Sequence, residues 1–383
     1  MAARRGRTAV RNPLRTLRDH GQSLWLDSFS RGMLASGELE RLVGECGVRG
    51  VTSSRADLDG ADARSRGEDE PARCTVGPED EIRETIVVEE ARHAADLLRP
   101  VYDASAGADG FVCVAVSPWK ADDAGATIAE AKRLWGSIAR RNAMIEVPAT
   151  IEALTAVRAL LAEGINVSVG IVLGLKRYRE VLSSYLEGME AAAAAGRNLG
   201  RIASVASFRL DLIDRAADRE LERIAARGDE RRAQAAALRG KAAIASARAA
   251  YAVFEELAAS PRFRRLAERR GALPQRLLWS GTAAEHGSGR ARYVDALVRP
   301  QTACALHIDA LAHFCANGDR RPRLIGRIDE AAATLAALRG LGIDLDRLGD
   351  AVLDDTLWRS VNGHDASSER LRTHSGACAD VAT

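Results

Sequence analysis

An α/β chain closed into a (β/α)8 TIM barrel is the architecture this sequence predicts, and three observations predict it. Short Val/Ile/Ala runs alternate with helical stretches along the chain, the rhythm of a parallel sheet. About eight such units fit the length, as a barrel requires. The strand runs are apolar on both faces, as expected when helices cover one side and neighbouring strands the other.

The units follow in order. Residues 1–11 form a basic, disordered start, and a single barrel domain spans 12–361. Ser23–Asp27 is a short strand ending in an acid. Residues 31–45 carry Leu34, Leu39, Leu42 and Val43 at helical spacing, with Ser36 as a possible cap. Val48–Ser53 is the second strand. Residues 54–80 are rich in Gly, Asp and Arg and read as a long polar loop. An amphipathic helix over 81–99 precedes the buried strand 111–116 and a helix over 124–139. The stretch 142–150 is a strand ending at Pro148, followed by helix 151–163, strand 165–173, helix 177–195 and strand 201–208. An Ala-rich helical region covers 211–259. Strands at 277–280 and 303–307 and helices near 309–316 and 327–340 complete the barrel. Residues 362–383 are polar without a period and read as a flexible tail.

Composition narrows the function. The chain has 383 residues, 46% of them hydrophobic and 28% charged, with a formal net charge of +2. That charge is too small to argue for nucleic acid or a membrane surface as partner. The longest apolar run, Ile165–Leu175, is too short to span a bilayer. Six cysteines are scattered with no C-x-x-C pair, which reads as reduced thiols in a cytoplasmic protein. A small-molecule ligand is the expected partner, with a homodimer as one option for the assembly.

Chemistry concentrates on the strand 142–150. Side chains alternate along a strand, so Met144, Glu146 and Pro148 share one face. A carboxylate among apolar residues is costly unless it is partnered or useful. Asp27 ends the first strand, and in a barrel both acids project into the mouth formed by the strands' carboxyl ends. Paired carboxylates in an apolar setting split their pKa values and can serve as acid and base. His307, at the end of the last strand, is suited to proton transfer. The candidate catalytic residues are Glu146, Asp27 and His307. Ser53, Ser54, Asn166, Ser168, Ser207 and Arg209 are the candidate substrate-binding residues. Cys304, His307, His313 and Cys315 have the spacing C-x2-H-x5-H-x-C, which matches no usual zinc pattern. Gly281 and Gly287-Ser288-Gly289 lack nucleotide-loop spacing. Neither a metal nor a cofactor is expected.

Several runs together, Gln22-Ser23-Leu24-Trp25-Leu26-Asp27, Leu98-Arg99-Pro100-Val101-Tyr102-Asp103, Val147-Pro148-Ala149-Thr150, Glu163-Gly164-Ile165-Asn166-Val167 and Arg201 to Phe208, resemble transaldolases of the long bacterial type. The resemblance covers most of residues 12–355. It implies a class I aldolase-like barrel of the pentose phosphate pathway that moves a dihydroxyacetone unit between sugar phosphates. It places the family's first-strand acid on Asp27 and its Schiff-base lysine on Glu146. The family's third-strand Glu falls on Ala115, its Asn after the second strand on Ser54, and its phosphate-binding Arg on Leu212.

A Schiff base needs a nucleophilic nitrogen, which a carboxylate does not supply. These departures lead to the expectation of a barrel that has lost Schiff-base chemistry and been repurposed. It would use carboxylate acid/base chemistry on a non-phosphorylated polar small molecule, in an isomerisation, dehydration or condensation. A second reading is a non-catalytic homologue that binds a metabolite or a protein. A third is a transaldolase of the pentose phosphate pathway.

Overall fold

A computed structural model describes residues 17–52, 79–228, 230–282, 292–311 and 328–379. Eight parallel strands close in sequence order into a barrel: β1 (Gln22–Asp27), β2 (Gly50–Thr52), β3 (Phe111–Ala115), β4 (Ala143–Pro148), β5 (Val167–Val172), β6 (Ser204–Arg209), β7 (Arg276–Ser280) and β8 (Thr302–Leu306). Closure is made by β8 pairing with β1 from Gln22↔Thr302 to Leu26↔Leu306. The predicted (β/α)8 barrel is thus the observed fold.

Strand alternation sorts the core into two compartments. Outward residues such as Leu24, Leu26, Val112, Ile145, Val147, Val169, Phe208 and Trp279 pack against the helices. Inward residues Trp25, Phe111, Cys113, Met144, Val205, Leu278, Ala303 and Ala305 fill the barrel itself. Large and small side chains face each other there, which lets the layers interdigitate without voids. Trp25 lies 6.5 Å from the Phe111 ring, and Phe111 meets Tyr102 edge-on at 5.5 Å. The space for Trp25 comes from Gly50, where an added Cβ would sit 2.5 Å from the indole. Gly50→Ala should therefore destabilise the barrel by about 1–3 kcal/mol through overpacking, measured as a lower denaturant midpoint at unchanged m-value.

The helices lie outside. Residues 31–45 do not form one helix. Ser30 caps α1 (Arg31–Ala35), Gly37 at φ +73° breaks the chain, and α2 (Glu38–Arg41) runs into a π turn over Leu42–Cys46. Ser36 ends α1 rather than starting a helix. Cys46 is disulfide-bonded, which corrects the reading of that cysteine as a reduced thiol. Cysteines scattered along a sequence carry no sign of which the fold will bring together. Cys113 and Cys304 are free and buried. Helix α3 (Glu79–Ala104) includes Glu79 and Asp80 of the expected loop. Residues 54–78 of that loop, and the expected disordered start 1–11, lie outside the described residues. Then come α4 (Ala124–Ile138), α5 (Ile151–Ala162) and α6 (Leu175–Ala194), the first two capped by the Asp123 and Thr150 side chains. The Ala-rich region is three helices, α7 (Leu210–Ala226), α8 (Arg231–Leu238) and α9 (Ala242–Ala259), broken near Gly228 and Gly240 at positive φ. Helix α10 (Pro261–Arg270) leads into β7, and α11 (Arg292–Ala296) into β8.

After α12 (Ile328–Gly340), the last helix α13 (Leu345–Ala379) runs through most of the stretch read as a tail. Its first turns are seated on the mouth side of the barrel. Helix α6 starts at Gly174, which has no capping side chain, and Asp346 of α13 accepts from the Lys176 N–H at 2.9 Å in its place. Arg177 pairs with Asp350 at 2.9 Å, and Leu345, Leu348 and Val352 pack with Leu173 and Leu212. These contacts, distant in sequence, hold α13 where local periodicity alone would not.

Candidate active site

The amino end of the barrel is closed by a buried charge cluster. Asp109 accepts from Arg49 Nε at 2.7 Å, Arg276 Nη1 at 3.0 Å and Ser23 Oγ at 2.7 Å. Arg276 also donates to Ser23 Oγ and the Thr302 carbonyl, each at 2.7 Å. These bonds tie β1, β7 and β8 together. They make a plug and leave reactive chemistry to the opposite end.

At the carboxyl end the inward positions turn polar. Asp27 closes β1 and accepts from Thr52 Oγ1 of β2 at 3.0 Å, and the same hydroxyl accepts from the Ser28 N–H at 3.2 Å. Glu146 of β4 stands opposite Ser168 of β5 and accepts from its hydroxyl at 3.3 Å. Its other strand neighbour is Ala115. Glu146 is ringed by protein, with a part of its surface open to the mouth. Burial, and next the Asp27 charge, push its pKa from the ordinary glutamate value up to about 7, against the pull of Ser168 and Arg209. A carboxyl in this state can both give and take a proton near neutrality. The structure thus brings together the two acids that strand alternation placed in the mouth. It adds Thr52, which holds Asp27 and which sequence reasoning passed over.

Arg209 ends β6. Its Nε and Nη2 each lie 3.1 Å from the Asp211 carboxylate, and its charge acts on both Asp27 and Glu146. Ser207, one layer below, shares a 2.8 Å hydrogen bond with Ser280 of β7. Three of the expected binding residues, Ser168, Ser207 and Arg209, therefore lie on the inward face of the barrel.

Others are placed differently. Asn166 sits at the amino end of β5, and its amide is spent on backbone: Nδ2 donates to the Arg141 and Ala143 carbonyls and Oδ1 accepts from the Ala203 N–H, all at 2.9 Å. It clips β4, β5 and β6 together below the mouth, which corrects its expected role. The reason is barrel geometry: Asn166, Ser168 and Gly170 alternate inward, and only the later ones reach the top layers. His307 follows β8 half-exposed, with Nδ1 3.4 Å from Asp309, and no hydrogen bond joins it to Asp27 or Glu146 in the structure. Ser53, Ser54, His313 and Cys315 lie outside the described residues. Leu212, where the resemblance places the phosphate-binding Arg, packs beneath α13. It forms the seat of that helix, and a positive charge at the mouth comes from Arg209 instead.

Gly170 is the position sequence reasoning undervalued. A Cβ there would meet Glu146 Oε1 at 2.7 Å. An isolated Gly within a strand pattern is itself a sign of a bulge or a close approach, and that sign was present in Val169-Gly170-Ile171.

Residues 24–369 match the family model described as Transaldolase/Fructose-6-phosphate aldolase. A protein of Thermobifida fusca named Transaldolase is 39% identical over 94% of this chain and 97% of its own length. Proteins of the same name from Saccharopolyspora erythraea and Acidothermus cellulolyticus are 40% and 38% identical over 87% and 89% of this chain, and over 89% and 91% of their own lengths. These relatives correct the expectation of a repurposed barrel acting on a non-phosphorylated molecule, and with it the reading of a non-catalytic binding protein. That expectation weighed a few positions at the mouth above the agreement along the rest of the chain, and Leu212, one of those positions, is taken up in the seat of α13. With the family model spanning most of the sequence and likeness of this extent, the chain belongs to the transaldolase/fructose-6-phosphate aldolase family.

Proposed function

We propose that the chain is a transaldolase of the pentose phosphate pathway, moving a dihydroxyacetone unit from a ketose phosphate to an aldose phosphate at the carboxyl end of its barrel. The observation that supports this most is the likeness to proteins named Transaldolase over most of the chain, together with Glu146 and Asp27 close enough at the mouth for one charge to act on the other and a cationic Arg209 beside them. Cleaving and remaking a carbon–carbon bond next to a carbonyl requires a proton to leave one oxygen and return to another, and Glu146 is tuned to carry it. Asp27 lies beside it and is itself held by Thr52. Arg209 offers a planar fork suited to phosphate oxygens, with Asp211 as the partner it exchanges for the substrate.

In the same reading, Glu146 stands on β4 where the resemblance places the imine-forming lysine. The chain has four lysines, at 120, 132, 176 and 241, and Lys120 and Lys176 follow β3 and β5 on the mouth side. Borohydride reduction with fructose 6-phosphate, followed by peptide mapping, reads which of them supplies a nitrogen. A cytoplasmic location, a small-molecule partner and a homodimer belong to this reading as well.

The deciding assay is transfer from fructose 6-phosphate to an aldose phosphate acceptor. Turnover is expected, and a wild-type protein that never transfers the unit at saturating donor and acceptor would sink the reading. Arg209→Ala should raise the KM for the donor about 10- to 100-fold, the worth of one charged hydrogen-bonding pair, with a smaller change in kcat. An unchanged KM would remove Arg209 from the phosphate.

A further inference from the structure

We propose that Gly170 is a positioning residue for Glu146: the bulge of β5 at Gly170–Ile171 turns the strand so that the Glu146 carboxylate lies over Ser168 in space a side chain at 170 would fill. Three observations carry this. First, the pairing of β5 with β6 slips between Val169↔Ala206 and Val172↔Phe208, so three steps along β5 oppose two along β6. Such an extra residue bends a strand and re-aims its neighbours, and it is rare between parallel strands. Second, Ile171 in the bulge has φ +58°. A β-branched residue is strained there by about 1–3 kcal/mol, a cost retained only where the surroundings impose it. Third, Glu146 Oε1 would lie 2.7 Å, and its Cδ and Cγ 3.2 Å, from a Cβ at position 170, while Oε2 lies 3.3 Å from Ser168 Oγ. The carboxylate fits with a glycine at 170 and a hydroxyl at 168.

The groups that act on Glu146 come from three strands, Asp27 of β1, Ser168 of β5 and Arg209 of β6, and Cys113 of β3 lies within reach of its charge. Cys113 is fully buried beside Ser168. A methyl group at 170 would push the carboxylate out of this ring toward solvent, removing the burial that dominates its titration. Deleting the Ser168 hydroxyl would leave it in place without a donor to its ionised form. The two changes should therefore move one midpoint in opposite directions.

The inference rests on the reading of Glu146 as the proton-transferring group, and its test is chosen to be independent of turnover. The carboxyl titration of Glu146 is followed by NMR on protein labelled with 13C-glutamate, with Glu146→Gln identifying the signal. Gly170→Ala should lower the midpoint by about one pH unit and Ser168→Ala should raise it. With transfer as a second readout, Gly170→Ala should lose about 10²-fold in kcat, the cost of a displacement near 1 Å. A Gly170→Ala protein that folds and titrates as wild type overturns the proposal, as does a shift of both variants in one direction. If Gly170→Ala does not fold, Gly170→Ala/Glu146→Asp decides: the shorter acid withdraws from the added methyl, so recovery of folding supports the proposal. Continued failure to fold counts against it, because the clash is then not with residue 146. An absence of transferase activity with these midpoint shifts intact would remove the proposed function and leave the positioning role standing.

Discussion

Glu146→Gln is expected to lower transfer of the dihydroxyacetone unit by about 10²–10⁴-fold, the usual contribution of one positioned acid or base, with the barrel intact. The amide keeps the shape of the carboxyl and can still meet Ser168, so the change removes the proton and little else. Because the wild-type carboxyl titrates at about 7, kcat/KM should inflect near that pH, and the inflection should be missing from the residual activity of the variant. The same substitution should act on stability in the other direction. A carboxyl whose pKa is raised on folding favours the neutral form, so its stabilising contribution is complete below the unfolded value of about 4.5 and is lost as pH rises through about 7. Glu146→Gln carries no such loss. Variant and wild type should be equally stable at pH 4, and at pH 8 the variant should be more stable by about 2 kcal/mol. That figure is below the full conversion of the shift because the carboxyl keeps some contact with solvent. Denaturant titrations at the two pH values measure it. Normal turnover in the variant would remove Glu146 from the mechanism, and a stability gain that ignores pH would mean the carboxylate is not strained by burial.

Asp109→Ala is expected to cost about 3–5 kcal/mol, because it leaves Arg49 and Arg276 buried against each other with no counter-charge. Both guanidinium groups reach this one carboxylate within 3.0 Å, and their side chains are largely buried. Burial alone would raise the Asp109 pKa. Arg276, Arg49 and Ser23 override it and hold the carboxyl below the ordinary aspartate value. The contribution is thus complete above the unfolded pKa and is lost as pH falls through the lower folded one. Wild type should lose stability to acid in that window, and Asp109→Ala should lose less there, having less to lose. The plug lies at the end of the barrel away from Glu146, so the folded variant should keep the pH inflection of the wild-type enzyme. A cost under about 1 kcal/mol would mean that water replaces Asp109 without penalty.

The barrel was legible in the sequence because its signals are local. Val112, Val114, Ile145, Val147, Val167 and Val169 sit in short runs whose length and β-branching mark them as strands. Asp27 and Glu146 were legible as mouth residues for the same reason, since strand alternation assigns an inward face once the strand is known. Breaks between helices were less legible. Gly37 splits 31–45, and Gly228 and Gly240 fall between the helices of 211–259, yet all three stand amid residues of good helical propensity. The last helix was missed because its first turns depend on Asp346 and Asp350 meeting α6, partners about 170 residues away in the chain.

By itself the sequence determined the fold, the strand order and the presence of two acids at the mouth, since each follows from periodicities of two and 3.6 residues that neighbours impose on one another. Only the tertiary structure decided what those acids can do. Whether Glu146 is an ordinary carboxylate or one poised near neutrality depends on burial, on Asp27 across the barrel, on Ser168 and Arg209 beside it, and on the space at Gly170. Closure likewise decided that Asn166 is a clip and Leu212 a helix seat, because depth within a barrel is set by strand tilt and stagger. Those quantities belong to the sheet as a whole, and no single stretch of sequence carries them.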